Sequence, residues 1–455
     1  MAYISKHGRR SIESASKINQ AHIIRQPDVK SFLERCTLPK PADPSVIAQQ
    51  VVPIEFPEKS PTQFIITVDG GYTEAEIRKE VPSSAVTFYN FGALLLKVSD
   101  LDDLKQLPFI LPEDMKKLRN IQRANPFTLP TRNVSLDGKT LTHSVRQAVY
   151  EFFSKSQDGD PPLIKALRWL IFEEYNSDKA PGDYNLSRCP YCSAKDIIIK
   201  PNFSDAFPCS NSTCQKELFL TDIFRLHEKI DDELGAGGIV SHVMSVLEHL
   251  LLVQFIKIIW ENRSSNLNLD KVIFIKDGPL AFFDVTANMH QPMQKLVQFM
   301  MSQPSADGSD RQGILHLVGV EKTGAFVDHA AQIREQIPAG HALILNNKYI
   351  YRYIMPGDEN TTDPYGRSSY YSRKLIFKAP DENVYVLTLP TAEAHLDPQL
   401  SDLLNACNCL FHVSRLKCHM YDDALVPVAL VNKLVSLADH PSKKILSLFA
   451  KGKVS

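Results

Sequence analysis

The chain has 455 residues, of which 44% are hydrophobic and 23% are charged, and its 51 basic side chains nearly balance 52 acidic ones. This composition is typical of a soluble globular protein with two or three domains, or with one elaborated domain. The formal net charge of -1 excludes a bulk electrostatic coat for nucleic acid but is compatible with a locally basic groove.

The N-terminal residues contain no apolar core of a secretory signal, and the longest apolar stretch, residues 249–260, is interrupted by Gln254 and Lys257. That stretch is shorter than the roughly 20 residues that span a bilayer. We therefore expect a cytoplasmic protein that does not enter a membrane. In a reducing compartment the eight cysteines favour metal ligands or core positions over disulfides.

The composition divides the chain into an N-terminal extension and a main domain with an accessory helical region. Residues 1–60 are polar and contain prolines, and we expect an extension that packs on the core or on a partner. Residues 61–455 are expected to form the main domain, in which strands at residues 64–69 and 86–98 are predicted to be antiparallel neighbours. An accessory helical region is predicted at residues 101–177, with helices at 101–125, 142–156 and 162–175.

The rest of the chain mixes buried helices with strands. A long helix, apolar almost all round, is predicted at residues 239–260, and buried strands are predicted at residues 271–280 and 313–320. Further strands are predicted at 342–345, 349–354, 374–378 and 384–389, and C-terminal helices at 400–408 and 429–438. A turn at Asn346-Asn347 is predicted to join the first two of these strands. The mixture indicates an α/β fold with a mixed sheet flanked by helices.

Residues 178–221 contain four closely spaced cysteines, Cys189-x2-Cys192 and, after sixteen further residues, Cys209-x4-Cys214. Each pair can present two thiolates to one tetrahedral ion from a tight turn, and the gap is long enough for a hairpin. Four incidental core cysteines are the alternative. Because no histidine or carboxylate stands among these ligands, the pattern predicts an insertion that binds a closed, structural Zn²⁺.

Two predicted core strands each run into an Asp-Gly pair. Asp69 follows an apolar run in QFIITVDGG, and Asp277 follows another in KVIFIKDGPL. Two such carboxylates at one rim of a sheet suit a hard divalent cation, although Asp-Gly is also common turn chemistry after a strand. Glu248 lies inside the apolar helix, where a charge is costly unless it is paired or binds a metal. It is therefore a third candidate ligand, or a member of a polar stripe with Ser241, Ser245 and His249.

An Asp/Glu/Asp set suits in-line displacement at phosphorus, in which metal ions generate hydroxide and stabilise the leaving oxygen. Lys322, in the segment LVGVEKTG, can neutralise the developing phosphate charge, or it is a solvated lysine in a turn.

A basic and aromatic stretch lies further along the chain and includes Tyr370, Tyr371, Arg373 and Lys374. Basic side chains bind phosphates and tyrosine rings stack on bases, as in proteins that bind single strands. The pattern predicts a DNA-binding segment, and an edge hairpin protected by lysines fits it equally well.

Four short motifs, taken in order, resemble the NurA nuclease family: FIITVDGG with Asp69, MSVLEHLLLV with Glu248, VIFIKDGPL with Asp277 and LVGVEKTG with Lys322. Each motif is degenerate, and the resemblance rests on their order and spacing. It implies an RNase H-like core and a Mn²⁺- or Mg²⁺-dependent DNA exonuclease and endonuclease. It also implies that the three carboxylates are the metal ligands and that Lys322 is a basic active-site residue.

The resemblance further implies a homodimer bound to a hexameric HerA/FtsK-type ATPase that pumps DNA, in DNA end processing or anti-phage defence. The family's site has a tyrosine, which Tyr370 or Tyr371 matches, and a late histidine, for which His395 and His440 are available. The unassigned histidine and the near-neutral charge keep a second hypothesis open. In that hypothesis the chain is an inactive, zinc-bearing adaptor that binds DNA or the ATPase. Nuclease activity on RNA is a third.

Overall fold

The structure is a computed structural model that describes residues 23–100, 122–156, 159–263, 268–305, 313–418, 424–437 and 442–453. The strands are β1 (Val51–Pro53), β2 (Phe64–Arg78), β3 (Ser84–Lys97), β4 (Gln122–Arg132), β5 (Tyr184–Arg188), β6 (Lys195–Ile199), β7 (Ala206–Pro208), β8 (Glu217–Phe219), β9 (Val272–Asp277), β10 (His316–Glu321), β11 (His341–Ile344), β12 (Ser372–Lys378) and β13 (Val384–Pro390). The helices are α1 (Pro27–Arg35), α2 (Pro44–Gln50), α3 (Leu141–Ser154), α4 (Leu163–Ile171), α5 (Val240–Glu261), α6 (His290–Ser302), α7 (Ala325–Gln332), α8 (Asn347–Tyr349), α9 (Ala406–Ser414), α10 (Val426–Val435) and α11 (Ser442–Lys453).

A mixed sheet of nine strands forms the centre, in the order β1-β11-β12-β13-β10-β9-β2-β3-β4. The three inner strands β2, β9 and β10 run parallel, and the remaining pairs are antiparallel. The predicted α/β fold with a mixed sheet flanked by helices is therefore confirmed. The sheet also takes in part of the predicted N-terminal extension, because β1 pairs with β11 at its edge.

Each face of the sheet contributes to its own hydrophobic core. Ile66, Val68 and Phe274 pack in a cluster with α5, whereas Ile65 and Ile273 pack in a second cluster with α9 and α10. This alternation follows from the two-residue period of a strand, whose successive side chains point to opposite faces. It explains why β9 has the continuous apolar sequence of a strand that is buried on both sides.

Helix α5 crosses the first core and is buried along most of its length. Among the described residues, one helical stretch, Gly237–Glu261, is long and apolar enough to cross a membrane, and 78% of its most apolar window is buried within the protein. Its apolar surface is thus explained by packing against β2, β3 and α4.

The cysteine-rich insertion consists of two hairpins, β5–β6 and β7–β8. It packs against α3 through a buried ion pair, in which Arg146 donates to both carboxylate oxygens of Asp222 at 2.7 Å. The guanidinium of Arg146 also lies 4.7 Å from the ring centroid of Tyr191, between two of the cysteines. The insertion is therefore part of the main core, as its buried Leu186, Ile197 and Leu218 also indicate.

Some predicted elements differ from the structure. Residues 101–121 of the helix predicted at 101–125 lie outside the described residues, and Gln122–Arg132 is a strand. The prolines Pro126 and Pro130 explain this difference, since proline disrupts a helix interior but is tolerated in an edge strand such as β4. The helices predicted at residues 142–156 and 162–175 are confirmed, with α3 and α4 shorter at their C-terminal ends.

The turn predicted at Asn346-Asn347 is wrong, because the chain becomes helical there. The side chain of Asn346 accepts a hydrogen bond from the backbone N–H of Tyr349, which caps α8, and a π-helical turn follows at Ile350–Ile354. Asparagine is favoured both in turns and at helix N-caps, so its presence alone does not separate the two. The strand pair β12 and β13 is confirmed.

Candidate active site

Asp69 and Asp277 lie at equivalent positions on the neighbouring parallel strands β2 and β9. The last paired residues of the two strands are Val68 and Lys276, and each aspartate is the next residue along its strand. The prediction that the first strand ends at Asp69 is wrong, because β2 continues to Arg78 in a long hairpin with β3. The pairing of β2 with β9 ends at this point, so both carboxylates still lie at one edge of the parallel strands.

Glu248 reaches the same edge from α5. Gly70 lets the helix come close, because a Cβ at this position would lie 2.2 Å from Sδ of Met244, one helical turn before Glu248. The backbone N–H of Gly70 donates to Oδ1 of Asp69 at 2.7 Å. Burial raises the pKa of Glu248, and a hydrogen bond from the same N–H opposes this rise. One peptide group therefore contacts both acids.

The three carboxylates are close enough for the charges of Asp277 and Glu248 to affect the pKa of Asp69. Burial, together with the charges of Asp277 and Glu248, raises the pKa of Asp69 to about 8, against the opposing charge of Lys322. Oδ2 of Asp69 is buried and accepts no hydrogen bond from any of the residues that the structure describes. An acidic group in this position is stabilised in its charged form by a nearby cation. The orphaned oxygen and the acidic neighbours of Asp69 therefore favour a hard divalent cation nearby, since such an ion prefers oxygen ligands.

Two lysines neutralise the other two acids. Nζ of Lys322 lies 2.6 Å from Oδ2 of Asp277, and Nζ of Lys276 lies 2.8 Å from Oε2 of Glu248. Lys276 also donates to the backbone carbonyl of Asp277 at 2.7 Å and is only 4% exposed. Sequence analysis missed Lys276, although a lysine in an otherwise apolar buried strand indicates a paired charge.

The ion pairs affect the spacing of the acids. Among the described residues, the four cysteines are the one group of three or more candidate ligands that lie close enough together to hold a single ion. The three carboxylates are therefore held further apart than ligands of a single ion. A divalent cation competes with the ammonium groups of Lys276 and Lys322 for the same oxygens, so metal binding requires at least one ion pair to loosen.

We expect Lys276→Met to destabilise the protein by about 3–5 kcal/mol at neutral pH, because it leaves Glu248 buried without a countercharge. The pKa of Glu248 is already raised and then rises further. The loss should shrink as the pH falls toward the ordinary carboxyl range, where Glu248 is protonated in both the folded and unfolded states. Denaturant unfolding in EDTA at several pH values measures this.

Lys257→Met on the same helix as Glu248 is the matched control, because Lys257 pairs with Glu261 at the surface. Such a pair contributes about 0–1 kcal/mol. Equal losses in the two variants, or a loss in Lys276→Met that does not change with pH, would contradict a role for Lys276 as the countercharge of Glu248.

The predicted DNA-binding segment is buried, so its four candidate residues Tyr370, Tyr371, Arg373 and Lys374 form no exposed basic surface. Lys374 pairs with Glu321 and lies 4.2 Å from the ring centroid of Phe326. The alternative of an edge hairpin is also wrong. The physical reason is the sheet order, in which β12 lies between β11 and β13 and all seven of its residues are buried.

The histidine of the resemblance has no counterpart at these carboxylates in the described residues. His440 lies outside them, and no hydrogen bond or ion pair within them joins half-buried His395 to the three acids. The tyrosine candidate Tyr371 packs against His249 and Phe282 in the core.

The four cysteines of the insertion converge, as their spacing predicted. Their Sγ atoms all lie within 4.8 Å of one another, and those of Cys192 and Cys209 are 3.9 Å apart. Tetrahedral Zn²⁺ with S–Zn bonds near 2.3 Å requires S···S distances of roughly 3.8 Å. The backbone N–H of Tyr191 lies 3.4 Å from Sγ of Cys189, as expected for a donor to a metal-bound thiolate. The cluster can therefore hold a metal ion.

The thiols of this cluster differ in acidity. Burial raises the pKa of Cys209 to about 12, whereas the backbone N–H of Ala194 lowers the pKa of Cys192 to about 7. Metal binding displaces thiol protons, so the affinity of the cluster rises with pH.

No family model and no curated protein matches the chain. Solved structures of NurA are similar to it along nearly the whole length. The NurA nuclease from Sulfolobus solfataricus has 8% sequence identity and a TM-score of 0.36, with 96% of this chain and 97% of that chain covered. A NurA structure with manganese has 11% identity and a TM-score of 0.29, with 98% and 99% covered. A third NurA structure has 10% identity and a TM-score of 0.26, with 96% and 97% covered.

These are structures of the family whose motifs the sequence resembles. Because the identities and TM-scores are low, the function proposed for this chain rests on contacts among its own residues.

Proposed function

We propose that the chain is a divalent-metal-dependent deoxyribonuclease with Asp69, Glu248 and Asp277 as its metal ligands. The observation that carries this proposal is the buried, unpartnered oxygen of Asp69, in a carboxyl group whose pKa is raised to about 8 beside two further acids. Perturbed acids that converge from different elements are typical of catalytic sites. Mn²⁺ or Mg²⁺ at such a site supplies hydroxide from bound water and stabilises the leaving oxygen.

The remaining charged residues of the site orient the reactants. Lys322 is 35% exposed and contacts Asp277, so its ammonium group is positioned to bind a phosphate oxygen of the substrate. Lys276 is buried and fixes the carboxylate of Glu248 against β9. We assign Lys322 to substrate binding and Lys276 to the positioning of Glu248.

The cysteine cluster is proposed to hold a structural Zn²⁺, since its four cysteines offer one thiolate for each position of a tetrahedral ion. The motif resemblance supports three wider proposals: a homodimer, partnership with a HerA/FtsK-type hexameric ATPase, and a role in DNA end processing or anti-phage defence. DNA is the proposed substrate.

Cleavage of linear DNA tests the activity. The full chain should degrade DNA in Mn²⁺ or Mg²⁺ and not in EDTA, and Asp277→Asn and Glu248→Gln should abolish cleavage. The matched control is Glu261→Gln, which changes an exposed glutamate on the same helix as Glu248 and should leave cleavage intact. Cleavage that persists in Asp277→Asn and Glu248→Gln would refute the assignment of these ligands. Parallel assays on RNA test the third hypothesis.

The lysine pairs favour a second candidate function, the inactive adaptor. Two of the three acids are already neutralised by Lys276 and Lys322, which lowers their tendency to bind a cation. Tight binding of DNA or of the ATPase, with no cleavage in any divalent metal, would favour this alternative. Addition of the ATPase to the cleavage assay separates an inactive chain from one that needs its partner.

A further inference from the structure

A cavity of about 480 Å³ opens beside the candidate active site. Its walls come from the end of β10, from α7 and the turn after it, from β13 and from α10. Lys322 joins the cavity to the carboxylates, because its side chain lines the cavity while its ammonium group contacts Asp277. A ligand in the cavity is therefore within reach of a residue that also contacts the proposed catalytic acids.

The charged groups around the cavity favour an anion. Lys322, Arg334 and Lys433 are basic, and the acidic lining residue, Glu321, is neutralised by buried Lys374. The guanidinium of Arg334 donates a hydrogen bond to the backbone carbonyl of Glu382 at 2.9 Å. Neither Arg334 nor Lys433 forms an ion pair with another described residue. Their positive charges are thus not compensated within the described chain, and oxygen atoms of phosphate groups are natural partners for them.

The floor of the cavity is apolar. Val327 and Ala330 from α7 face Val386 from β13, and Ala429 from α10 completes this surface. A cavity of this size holds a small organic ligand, and an apolar wall with a few basic groups at one side matches a nucleotide, which has a flat base and an anionic phosphate. Inorganic phosphate would leave the apolar part of the surface uncovered.

We propose that this cavity is a subsite for one nucleotide of a single DNA strand, next to the phosphate that is cleaved. The base and sugar lie on the apolar floor, and Arg334 and Lys433 bind backbone phosphates beside Lys322. The proposal rests on the proposed function for the identity of the strand as substrate. The cavity presents an exposed basic surface, whereas the segment around Arg373 is buried.

Equilibrium binding of a fluorescein-labelled oligothymidylate, measured by anisotropy without added Mn²⁺ or Mg²⁺ over a salt series, tests the subsite without any need for cleavage. The double variant Arg334→Ala/Lys433→Ala should bind roughly tenfold more weakly. Its slope of log affinity against log salt should be smaller by about 1.4, since each phosphate that a protein neutralises on a single strand contributes about 0.7 to this slope. Lys79→Ala/Lys97→Ala removes two exposed lysines outside the cavity and is the matched control.

Ala331→Trp tests the apolar part. Ala331 is exposed at the cavity rim, so the larger ring should occupy the floor without disturbing the core. Binding should weaken severalfold with an unchanged salt slope, because the variant keeps every basic group that binds a phosphate. Wild-type binding by Ala331→Trp, or an equal decrease of affinity in the two double variants, would overturn the proposal.

The two proposals fail differently. If the cavity variants bind DNA more weakly as expected but the chain cleaves nothing in any metal, the subsite stands and the nuclease assignment falls. If the wild-type chain cleaves DNA and the cavity variants bind it normally, the nuclease assignment stands and the subsite falls.

Discussion

Asp69→Asn should abolish cleavage while making the metal-free protein more stable at neutral pH. The carboxyl group has an ordinary pKa near 3.8, and in the folded chain burial and its acidic neighbours raise this pKa to about 8. Above about pH 4 the unfolded chain releases a proton that the folded chain retains, so the stability of the wild type falls as the pH rises toward 8. Asparagine carries no charge and removes this penalty.

The expected gain is absent near pH 4, grows through neutral pH and levels off above about pH 8. One unit of pKa corresponds to about 1.36 kcal/mol, and relaxation around the acids reduces the full value, so we expect a gain on the order of 3 kcal/mol at the plateau. The accompanying loss of cleavage should be at least about 10²-fold, since the variant lacks one charged ligand. Denaturant unfolding in EDTA and cleavage in Mn²⁺ measure the two effects.

The exposed Asp183 provides the control, because Asp183→Asn changes the same groups at the protein surface and should alter neither property. Addition of Mn²⁺ should then close most of the difference in stability between Asp69→Asn and the wild type. Ligand in 100-fold excess over its dissociation constant stabilises the folded state by about 2.7 kcal/mol, and the wild type should gain this while Asp69→Asn should not. Equal stability of wild type and Asp69→Asn at all pH values, or an equal gain from Mn²⁺, would contradict a cation site at Asp69.

These opposite effects express one property of the site. A buried carboxyl group with an unpartnered oxygen and two acidic neighbours reduces folding stability, and a protein retains such a group where it serves binding or catalysis. The lysine pairs at Glu248 and Asp277 limit that cost for two of the acids. Asp69 has no such partner, which makes it the most informative of the three acids to replace.

The sequence predicted the fold and the candidate site best where a short local pattern determines both the element and its functional residue. The apolar runs before Asp69 and Asp277 predicted two buried strands, and both are neighbours in the sheet. Residues such as Tyr371 and Lys374 were misjudged because a strand's place in the sheet depends on its distant partners. An exposed edge strand and a buried central strand have similar local compositions when the basic residues of the central strand form ion pairs inside the protein. Lys276 was missed for the same reason, since its partner Glu248 comes from another element.

The cavity beside Lys322 was equally hidden from sequence analysis. Its basic groups Arg334 and Lys433 come from segments far apart in the chain, and no local motif links them. The close approach of α5 to β2 is different, because the pair Gly70-Gly71 was visible in the sequence. In the structure Met244 packs against Gly70, and this close packing explains how Glu248 on the helix reaches Asp69 on the strand.

Removal of the metal from the cysteine cluster should unfold the insertion. We expect one Zn²⁺ per purified chain, and structural zinc sites have apparent binding free energies of about 10–16 kcal/mol at neutral pH. The hairpins β5–β6 and β7–β8 are short, and hairpins of this kind are marginal without further support. Cys209→Ser should therefore lose zinc and lower the Tm by on the order of 10 °C. Metal analysis and thermal unfolding measure these effects.

Hydrogen exchange separates loss of the insertion from loss of the whole fold. Amides of the four short strands should lose protection in Cys209→Ser, whereas those of β9 and β10 should keep it, because the core on the other face of these strands, around Ile273 and Val318, contains none of the four cysteines. Cys36→Ser, which changes an exposed cysteine outside the cluster, is the matched control and should retain both zinc and stability. The zinc assignment would be contradicted if the chain contained no zinc after refolding with the metal and its Tm did not respond to a chelator. The cluster would then be four packed thiols. The insertion would then be held by its buried apolar residues and by the ion pair between Arg146 and Asp222.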